Sequence, residues 1–395
     1  MKIKRIFILL LIQILLFTTS SCKNNIKETT TSAVSSKEKV SEISELSKSS
    51  SNINYSGKGE MNTDKMLTVG YIGPGAMGAW HSNLSFDIMD AAEEWNIILE
   101  FRDSQGKYDL QLEYIEELIK MDVDAIGFVP LGPYVHELVP GDGMPEWTGK
   151  YIYDTTEWEN TLKKAKEAGI PIILINRTVN CADESLWTTY IVNDWYGEGE
   201  MAGKWIIENI NTGKNVDEEI KVLEVTGEYY SQYSNNYNES IKINQIKEGF
   251  RKGIEKNEKV RIVDTLPGGL SNEQSLDVVK EYLRKDKEID IVFCQSDDMV
   301  LGVINAIKAV DMIPGEDIQV ISIEGTNAAL EAIVEGKIEC SVETNPLLGD
   351  LFMEACVRLA NGEEIEREIH PVDRVFDITN AQAELDARKE NGYGY

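Results

Sequence analysis

The sequence predicts an α/β fold with two doubly wound lobes, each built around a parallel sheet. Short apolar runs alternate with amphipathic stretches along residues 67–395, which is the order of β-α units. Several runs, such as Ile291–Cys294, are apolar at every position, as parallel strands buried on both faces are. The alternation starts again near 190–194 after four units, so a second lobe follows. A chain of 395 residues can bury two such cores.

The first lobe is predicted to contain four strands, at 67–72, 97–101, 125–130 and 170–175. Its first helix carries apolar residues at helical spacing from Trp80 to Trp95, and Trp95 is expected in the core. A second helix is predicted at 110–121, and a third ends at Gly169. An insertion rich in glycine, proline and aromatic residues occupies 131–156, and loops of that length are usually functional or mobile.

The second lobe is predicted from elements listed in chain order: a helix at 196–210, a strand at 222–225, a helix at 241–254, a strand from 262 and a helix at 272–285. The unit at 289–326 follows. Its first strand ends at Gln295-Ser296-Asp297-Asp298 and its second at Glu324-Gly325-Thr326. Open parallel sheets bind ligands at the carboxyl ends of strands. These two polar clusters are therefore predicted to form half of a ligand cleft.

Composition excludes several classes of function. The net charge of −29 disfavours nucleic acid as a partner, because such binding needs cationic contacts to phosphate. There are three histidines, no HExxH and no paired CxxC, so no metal and no cofactor is predicted. Cys294 and Cys356 lie on apolar strand and helix patterns and are expected to be core residues.

The N-terminal region has the pattern of an exported protein. Residues 1–21 have a basic start, an apolar run and small residues, as a signal peptide does, and Cys22 follows directly. This arrangement resembles a bacterial lipobox, although Thr19 stands where that motif usually has leucine. Residues 22–65 are predicted to be a lipidated cysteine and a flexible tether. We expect an extracytoplasmic lipoprotein on the cell membrane; ordinary signal cleavage or an uncleaved anchor is the alternative.

A glycine-rich segment permits a different interpretation. Residues 73–78 read GPGAMG and match G-x-G-x-x-G, and Glu100 stands where a ribose-binding acid would be expected. A nucleotide-dependent enzyme is therefore one alternative. An exported protein meets little NAD, however, and the interval from Gly78 to the next strand is long. A glycine-rich loop at the mouth of the cleft is preferred.

Motifs along the folded region occur in a fixed order. They are 122–126, 168–172 followed by Asn176-Arg177, 297–302, 323–325, 341–343 and 391–395. Together they resemble the type I periplasmic sugar-binding proteins, the ribose- and galactofuranose-binding group that serves ABC importers. The galactofuranose-binding branch is the most similar, and the lipobox indicates a lipoprotein form.

The resemblance implies a three-strand hinge that closes two lobes on a ligand, without catalysis. The crossovers would lie near Asn193, Thr344 and Val375. Lobe one would comprise 66–193 plus 345–373, and lobe two 194–344 plus 374–395.

The resemblance also implies a set of ligand-binding residues, four from each lobe: Trp80, His81, Asn176, Arg177, Ser296, Asp297, Glu324 and Glu343. An indole can cover the C–H face of a sugar, and charged groups can bind its hydroxyls. Simpler roles are open for some of them: Trp80 in the core, His81 solvated, Asp297 as a helix N-cap, and Glu343 bonded across the hinge.

Several positions depart from the family pattern, so the identity of the sugar is left open. The family usually has Arg at His81, Asp-Arg at Asn176-Arg177 and Arg at Ile246, three residues before Gly249-Phe250. It often has Asn at Ser296 and Asp at Glu324.

The resemblance implies a monomeric receptor that delivers a sugar or polyol to an ABC permease and its ATPase. A sensor domain of the same fold for a membrane kinase or chemoreceptor is the main alternative. A sugar-responsive repressor is disfavoured, because a signal and tether stand in place of the DNA-binding headpiece.

Overall fold

The structure is a computed structural model that describes residues 66–75, 77–132, 155–179, 181–209, 218–228, 237–285 and 288–394. Twelve strands are found in these residues: β1 (Thr68–Gly73), β2 (Ile98–Asp103), β3 (Ala125–Phe128), β4 (Ile172–Ile175), β5 (Thr189–Ile191), β6 (Ile220–Thr226), β7 (Val260–Pro267), β8 (Ile291–Cys294), β9 (Gln319–Glu324), β10 (Cys340–Glu343), β11 (Glu368–Ile369) and β12 (Val375–Asp377).

The same residues form ten α-helices: α1 (Ala79–Glu94), α2 (Tyr108–Lys120), α3 (Thr156–Glu167), α4 (Trp195–Asn209), α5 (Tyr237–Ile254), α6 (Asn272–Lys285), α7 (Val300–Lys308), α8 (Asn327–Val334), α9 (Gly349–Ala360) and α10 (Ala381–Asn391). Helix α6 shows why they form. Its buried residues Ser275, Val278, Val279 and Leu283 recur at helical spacing and face one side, while its polar residues face the other.

The strands build two sheets with the same winding. The first has the order β11-β5-β4-β3-β1-β2, and the second has the order β12-β10-β9-β8-β6-β7. All pairings are parallel except that of β12 with β10, which is antiparallel. In each sheet the later strands therefore lie on both sides of the first one: β2 and β3 flank β1, and β7 and β8 flank β6. In doubly wound sheets the ligand crevice lies at such switch points.

Both faces of each sheet are buried, as the apolar runs predict. On the first sheet, Tyr71 belongs to a cluster with α1 and α9, whereas the next residue, Ile72, packs on the opposite face with α2 and α3. On the second sheet, Val292 and Phe293 are divided in the same way between two further clusters. The predicted α/β class with two parallel-sheet lobes is confirmed.

Each of these four clusters contains one buried cysteine. Cys181 and Cys356 lie in the two clusters of the first sheet, and Cys294 and Cys340 in the two clusters of the second. All four thiols are free and buried. The expected core positions of Cys294 and Cys356 are thus confirmed.

The chain passes between the sheets three times. It leaves the first sheet after Ile191, returns from the second after Glu343 to form α9, and leaves again after Ile369 to form β12. The short strands β11 and β12 were not predicted, because two or three residues carry too little periodicity to be recognised.

Two predictions need correction or fall outside the described residues. Apolar residues from Met299 to Val310 recur at helical spacing, but this segment begins as a 3-10 turn at Asp297–Met299 and its α-helix ends at Lys308. The signal segment, Cys22, the tether and nearly all of the 131–156 insertion lie outside the described residues. In the described part of the chain, no helix combines the length and the apolar character that a membrane span requires.

Candidate ligand-binding site

A cavity of about 760 Å³ lies where residues of both lobes meet. That size is typical of small-molecule sites. Six of the eight predicted ligand-binding residues line it: Trp80, His81, Asn176, Arg177, Asp297 and Glu324. Among the described residues, no group of three or more acidic, histidine or cysteine side chains is arranged to hold a metal ion.

Trp80 lines the cavity at the start of α1 and also bonds to the neighbouring lobe. Its indole Nε1 donates a hydrogen bond of 2.9 Å to the carbonyl oxygen of Thr344, which directly follows β10. The ring is only partly buried. The hydrogen bond fixes the polar N–H of the indole. The apolar face of the ring can then pack against the C–H groups of a sugar. Trp95, in contrast, is half-buried and donates to Asp350 at 2.8 Å.

His81 follows Trp80 and packs edge-on against its ring, with centroids 5.1 Å apart. Neither ring nitrogen has a well-formed hydrogen bond in the described residues, although the Met77 backbone lies close enough to raise the pKa of the ring. Burial, together with the positive charge of Arg177, lowers the pKa of His81 to about 4. The imidazole is therefore neutral at physiological pH and offers one N–H donor and one acceptor.

Asn176 and Arg177 stand at the carboxyl end of β4. Asn176 has a φ of 61°, a left-handed conformation that asparagine tolerates better than most residues. Its backbone N–H donates to the Ile191 carbonyl at 2.8 Å, and its carbonyl accepts from the Tyr190 hydroxyl at 3.0 Å. This turn brings both side chains to the cavity. The Arg177 guanidinium is partly buried and pairs with no acid in the described residues.

The second lobe contributes a network of acids that are already paired. Lys242 of α5 contacts Glu324 with an Nζ–Oε1 distance of 2.8 Å, and the Ser296 hydroxyl donates to Glu324 Oε2 at 2.8 Å. The carboxylates of Glu324 and Glu198 raise the pKa of Lys242 against the opposing effect of burial. Lys242 therefore remains charged beside the cavity.

Asp297 is not the helix cap that was considered. Its Oδ2 accepts from the Thr326 N–H at 2.7 Å, and its Oδ1 accepts from the Ser341 hydroxyl at 3.0 Å. The cap of the 3-10 turn is Ser296, whose hydroxyl accepts from the Asp298 N–H. Burial and the nearby Glu324 raise the pKa of Asp297 to about 7. Asp297 thus ties the ends of β8, β9 and β10 together at the cavity wall.

Two predicted ligand contacts do not reach the cavity. Ser296 is completely buried behind Glu324 and acts on it by hydrogen bonding. Glu343 is 2 % exposed and binds the guanidinium of Arg374 through both of its oxygens, at 2.7 Å each. Arg374 directly precedes β12, which pairs with β10, so this ion pair lies within the second lobe and is not the bond across the hinge that was the alternative for Glu343.

Two residues that line the cavity were missed from the sequence. Lys242 stands four residues, one helical turn, before Ile246. Since the family pattern has a cation at Ile246, a search one turn away on the same face could have found it. Trp195 is 5 % exposed, and its Nε1 has no partner in the described residues. No sequence signal distinguishes it from a core tryptophan.

The segments that join the lobes share a polar cluster. The Asp373 carboxylate accepts hydrogen bonds from Asn193 Nδ2 at 3.3 Å and from the Asn345 N–H at 3.0 Å. Nearby, the Thr344 hydroxyl donates to Glu198 at 2.9 Å. Burial raises the pKa of Asp373 to about 7 and that of Glu198 well above its usual value. All three linking segments therefore meet at hydrogen-bonded side chains.

The glycine-rich segment has a backbone reason for its glycines. Gly75 and Gly78 have φ values of 90° and 109°, which side-chain-bearing residues rarely adopt. Gly78 immediately precedes α1 and lines the cavity. Glu100, the proposed ribose-binding acid, is placed inside β2, pairs with Arg102 at 3.2 Å and does not line the cavity. Met77 and Gly78, at the end of the segment, thus line the cavity, in agreement with a glycine-rich loop beside the cleft.

Comparison with known proteins agrees with this architecture. A family model described as a periplasmic binding protein domain matches residues 152–364. The chain belongs to this periplasmic binding protein family. The galactofuranose-binding protein YtfQ of Escherichia coli is 27% identical over 331 residues, covering 83% of this chain and 93% of that protein.

The descriptions of two further relatives of this periplasmic binding protein name a sugar. The ribose import binding protein RbsB of Bacillus subtilis is 24% identical over 270 residues, covering 68% of this chain and 73% of that protein. A Mycobacterium smegmatis protein solved in complex with β-D-fucofuranose has a TM-score of 0.59 and 29% identity, covering 82% of this chain and 96% of that one. The expected family, type I periplasmic sugar-binding proteins, is confirmed.

Proposed function

We propose that this periplasmic binding protein captures a sugar or a sugar-like molecule between its two lobes and delivers it to an ABC importer. The observation that carries the proposal is the composition of the cavity wall. The cavity is lined by an indole, Arg177 and His81 from one lobe and by carboxylates and Lys242 from the other. Such a wall can cover a C–H face and bind hydroxyls at the same time.

The relatives support the ligand class and the transport role. Their descriptions name galactofuranose, ribose and fucofuranose as ligands. Binding and release are the whole of the activity we assign, since the relatives are described as binding proteins. The protein therefore acts as a receptor without catalysis.

The cellular location is part of the same proposal. The signal pattern and Cys22 support an extracytoplasmic lipoprotein that is tethered to the cell membrane by residues 22–65. A flexible tether lets a monomeric receptor reach its permease. The lobe limits 66–193 plus 345–373 and 194–344 plus 374–395 belong to this proposal, and so does a supporting role for Ser296 and Glu343 behind the ligand contacts.

Thermal-shift screening tests the proposal. The full chain is mixed with pentoses, hexoses, furanoses, polyols and nucleosides, and unfolding is followed for each mixture. A ligand that binds only the native state adds about 2.7 kcal/mol to the free energy of unfolding at a hundredfold excess over Kd, and the unfolding temperature rises accordingly. We expect a sugar or polyol to give such a shift.

Two substitutions connect the shift to this cavity. Arg177→Ala and Trp80→Ala should abolish it while the unliganded protein still unfolds cooperatively. Lys164→Ala removes an exposed cation that pairs with Glu116 away from the cavity, and should preserve the shift. A shift that survives both cavity substitutions would show that the ligand binds elsewhere.

A further inference from the structure

The first turn of α1 opens onto the cavity without a cap. Met77, Gly78 and Ala79 all line the cavity. Gly78 has no side chain to cap the helix, and the first turn contains no acidic residue. The first N–H groups of a helix lack acceptors within the helix, and its N-terminus carries partial positive charge. An uncapped helix N-terminus that lines a cavity can bind an anion. An anion site there also needs donors or cations from other residues.

Side chains at the cavity supply that support, and they are hydrogen-bond donors. The indole nitrogen of Trp195, a side chain only 5 % exposed, is buried without a partner in the described residues. Both nitrogens of His81 are also buried without a well-formed hydrogen bond in the described residues, and in the neutral ring one of the two is a donor. Arg177, on the same wall, pairs with no acid there. A buried donor without an acceptor costs about 1–3 kcal/mol. The bound ligand would be the natural source of those acceptors.

Two acids of the second lobe that line the cavity, Glu324 and Asp297, are in contrast already hydrogen-bonded. Glu324 bonds to Lys242 and Ser296, and Asp297 bonds to the Thr326 N–H and the Ser341 hydroxyl. Asn176, beside Arg177, is neutral and does not offset its charge. Arg177, a partly buried cation with no acid partner in the described residues, therefore lies beside His81 at the α1 end of the cavity.

We propose that the first turn of α1, His81, Arg177 and Trp195 form an oxyanion subsite, and that the ligand is a sugar bearing a carboxylate or phosphate group. This inference rests on the proposed function and narrows its ligand class. The oxyanion accepts from the guanidinium and from the helix N–H groups, while the hydroxyls of the sugar face the acids of the second lobe. The conformation of the glycine-rich segment then serves to present backbone donors to the ligand.

Calorimetric titration of the full chain with matched ligand pairs tests the subsite. The pairs are D-galacturonate with D-galactose, L-arabinonate with L-arabinitol, and a hexose monophosphate with its hexose, in a buffer without oxyanions. Charge-assisted hydrogen bonds contribute about 1.5–3 kcal/mol, so the acid of at least one pair should bind about ten to a hundred times more tightly than its neutral partner. A preference confined to the phosphate pair identifies phosphate as the oxyanion; one confined to the others identifies carboxylate.

Substitutions locate the preference. Arg177→Gln keeps hydrogen-bonding capacity but removes the charge, and should reduce the acid-to-neutral ratio about tenfold or more. Lys164→Gln removes an exposed charge outside the cavity and should leave that ratio unchanged. Because Arg177 pairs with no described acid, the variant should remain folded, which its circular dichroism melting curve will show.

The contrary outcomes separate the two proposals. Neutral sugars that bind as tightly as their acids would overturn the oxyanion subsite and leave the sugar receptor standing. A wild-type ratio in Arg177→Gln would overturn the assignment of the subsite to this wall. If no member of any pair binds, and the thermal-shift screen also finds no sugar, both proposals fail.

Discussion

At His81, burial and two neighbouring cations act on the same imidazole. Arg177 lies on the same wall and Lys242 on the opposite one, and each disfavours a proton on the ring. The folded-state pKa of about 4 lies below the unfolded value of about 6.5. Between these two pH values, the unfolded chain binds more protons at this residue than the folded protein does. The stabilising contribution is thus complete above about pH 6.5 and is lost as the pH falls toward 4.

A pH series on His81→Asn tests this account. The unfolding free energy of the wild type should fall more steeply than that of the variant between about pH 7 and about pH 4.5. The difference should be on the order of 2 kcal/mol after allowance for partial solvent screening. Urea denaturation at each pH measures it. Asp87, Asp297 and Asp373 also have raised pKa values, but they titrate in both proteins and cancel in the comparison. Parallel curves would contradict the lowered pKa.

At the scale of elements, α4 and α5 approach each other through glycines on both helices. Gly199 and Gly203 of α4 face Gly249 and Gly253 of α5, at intervals of four residues on each helix. A methyl group at Gly249 would overlap the carbonyl oxygen of Tyr196. This contact fixes α5, and with it the position of Lys242 beside Glu324.

Gly249→Ala should therefore destabilise the protein by about 1–3 kcal/mol through overpacking. Helix propensity alone predicts the opposite sign, since alanine is favoured over glycine by about 1 kcal/mol in a helix. Equilibrium denaturation decides between the two effects. Gly394→Ala, where no atom lies near the added methyl group, is the control and should be nearly neutral. A stabilised Gly249→Ala protein would show that the helices can separate at little cost.

The helices and strands could be predicted because apolar runs and helical spacing are local patterns. The partners of the site residues could not be predicted, because they come from distant parts of the chain. Apolar runs and helical spacing placed β8, α6 and most other elements within a few residues of their observed bounds. Whether Glu343 faces the cavity depends on its ion pair with Arg374, which comes from a return segment with little periodicity. The presence of Lys242 at the cavity depends likewise on the packing of α5 against α4. Such three-dimensional partners leave no pattern in a single sequence.

For the whole molecule, the linking segments determine how the two lobes can move. Asn193, Asn345 and Asp373 come from different segments and share one hydrogen-bonded cluster. Closure on a ligand by rotation about this cluster is the hinge motion that the family architecture implies. The Trp80–Thr344 bond lies beside the same cluster, so a ligand at Trp80 is in a position to bias the hinge.

Small-angle scattering should show a smaller radius of gyration when the ligand found by screening is added. Asn193→Ala removes two hydrogen bonds and leaves the buried Asp373 carboxyl with fewer donors, so we expect about 1–3 kcal/mol lower stability and a smaller ligand-induced compaction. Asn209→Ala is the control, because the bond of that amide within the described residues, to the Trp205 carbonyl, lies at an exposed helix end. Equal compaction in wild type and Asn193→Ala would argue against a role of the cluster in closure.

The distribution of thiols gives the molecule four internal reporters of local opening. Each of the four apolar clusters contains one cysteine, and burial raises the pKa of Cys181 to about 11 and those of Cys294, Cys340 and Cys356 as well. An alkylating reagent reacts with the thiolate, so each site should be labelled only when its own cluster is exposed. Timed alkylation followed by peptide mass spectrometry would therefore give the opening rate of each face of each sheet in the unmodified protein. Saturating ligand should slow labelling at these sites, because both lobes contribute to the bound state.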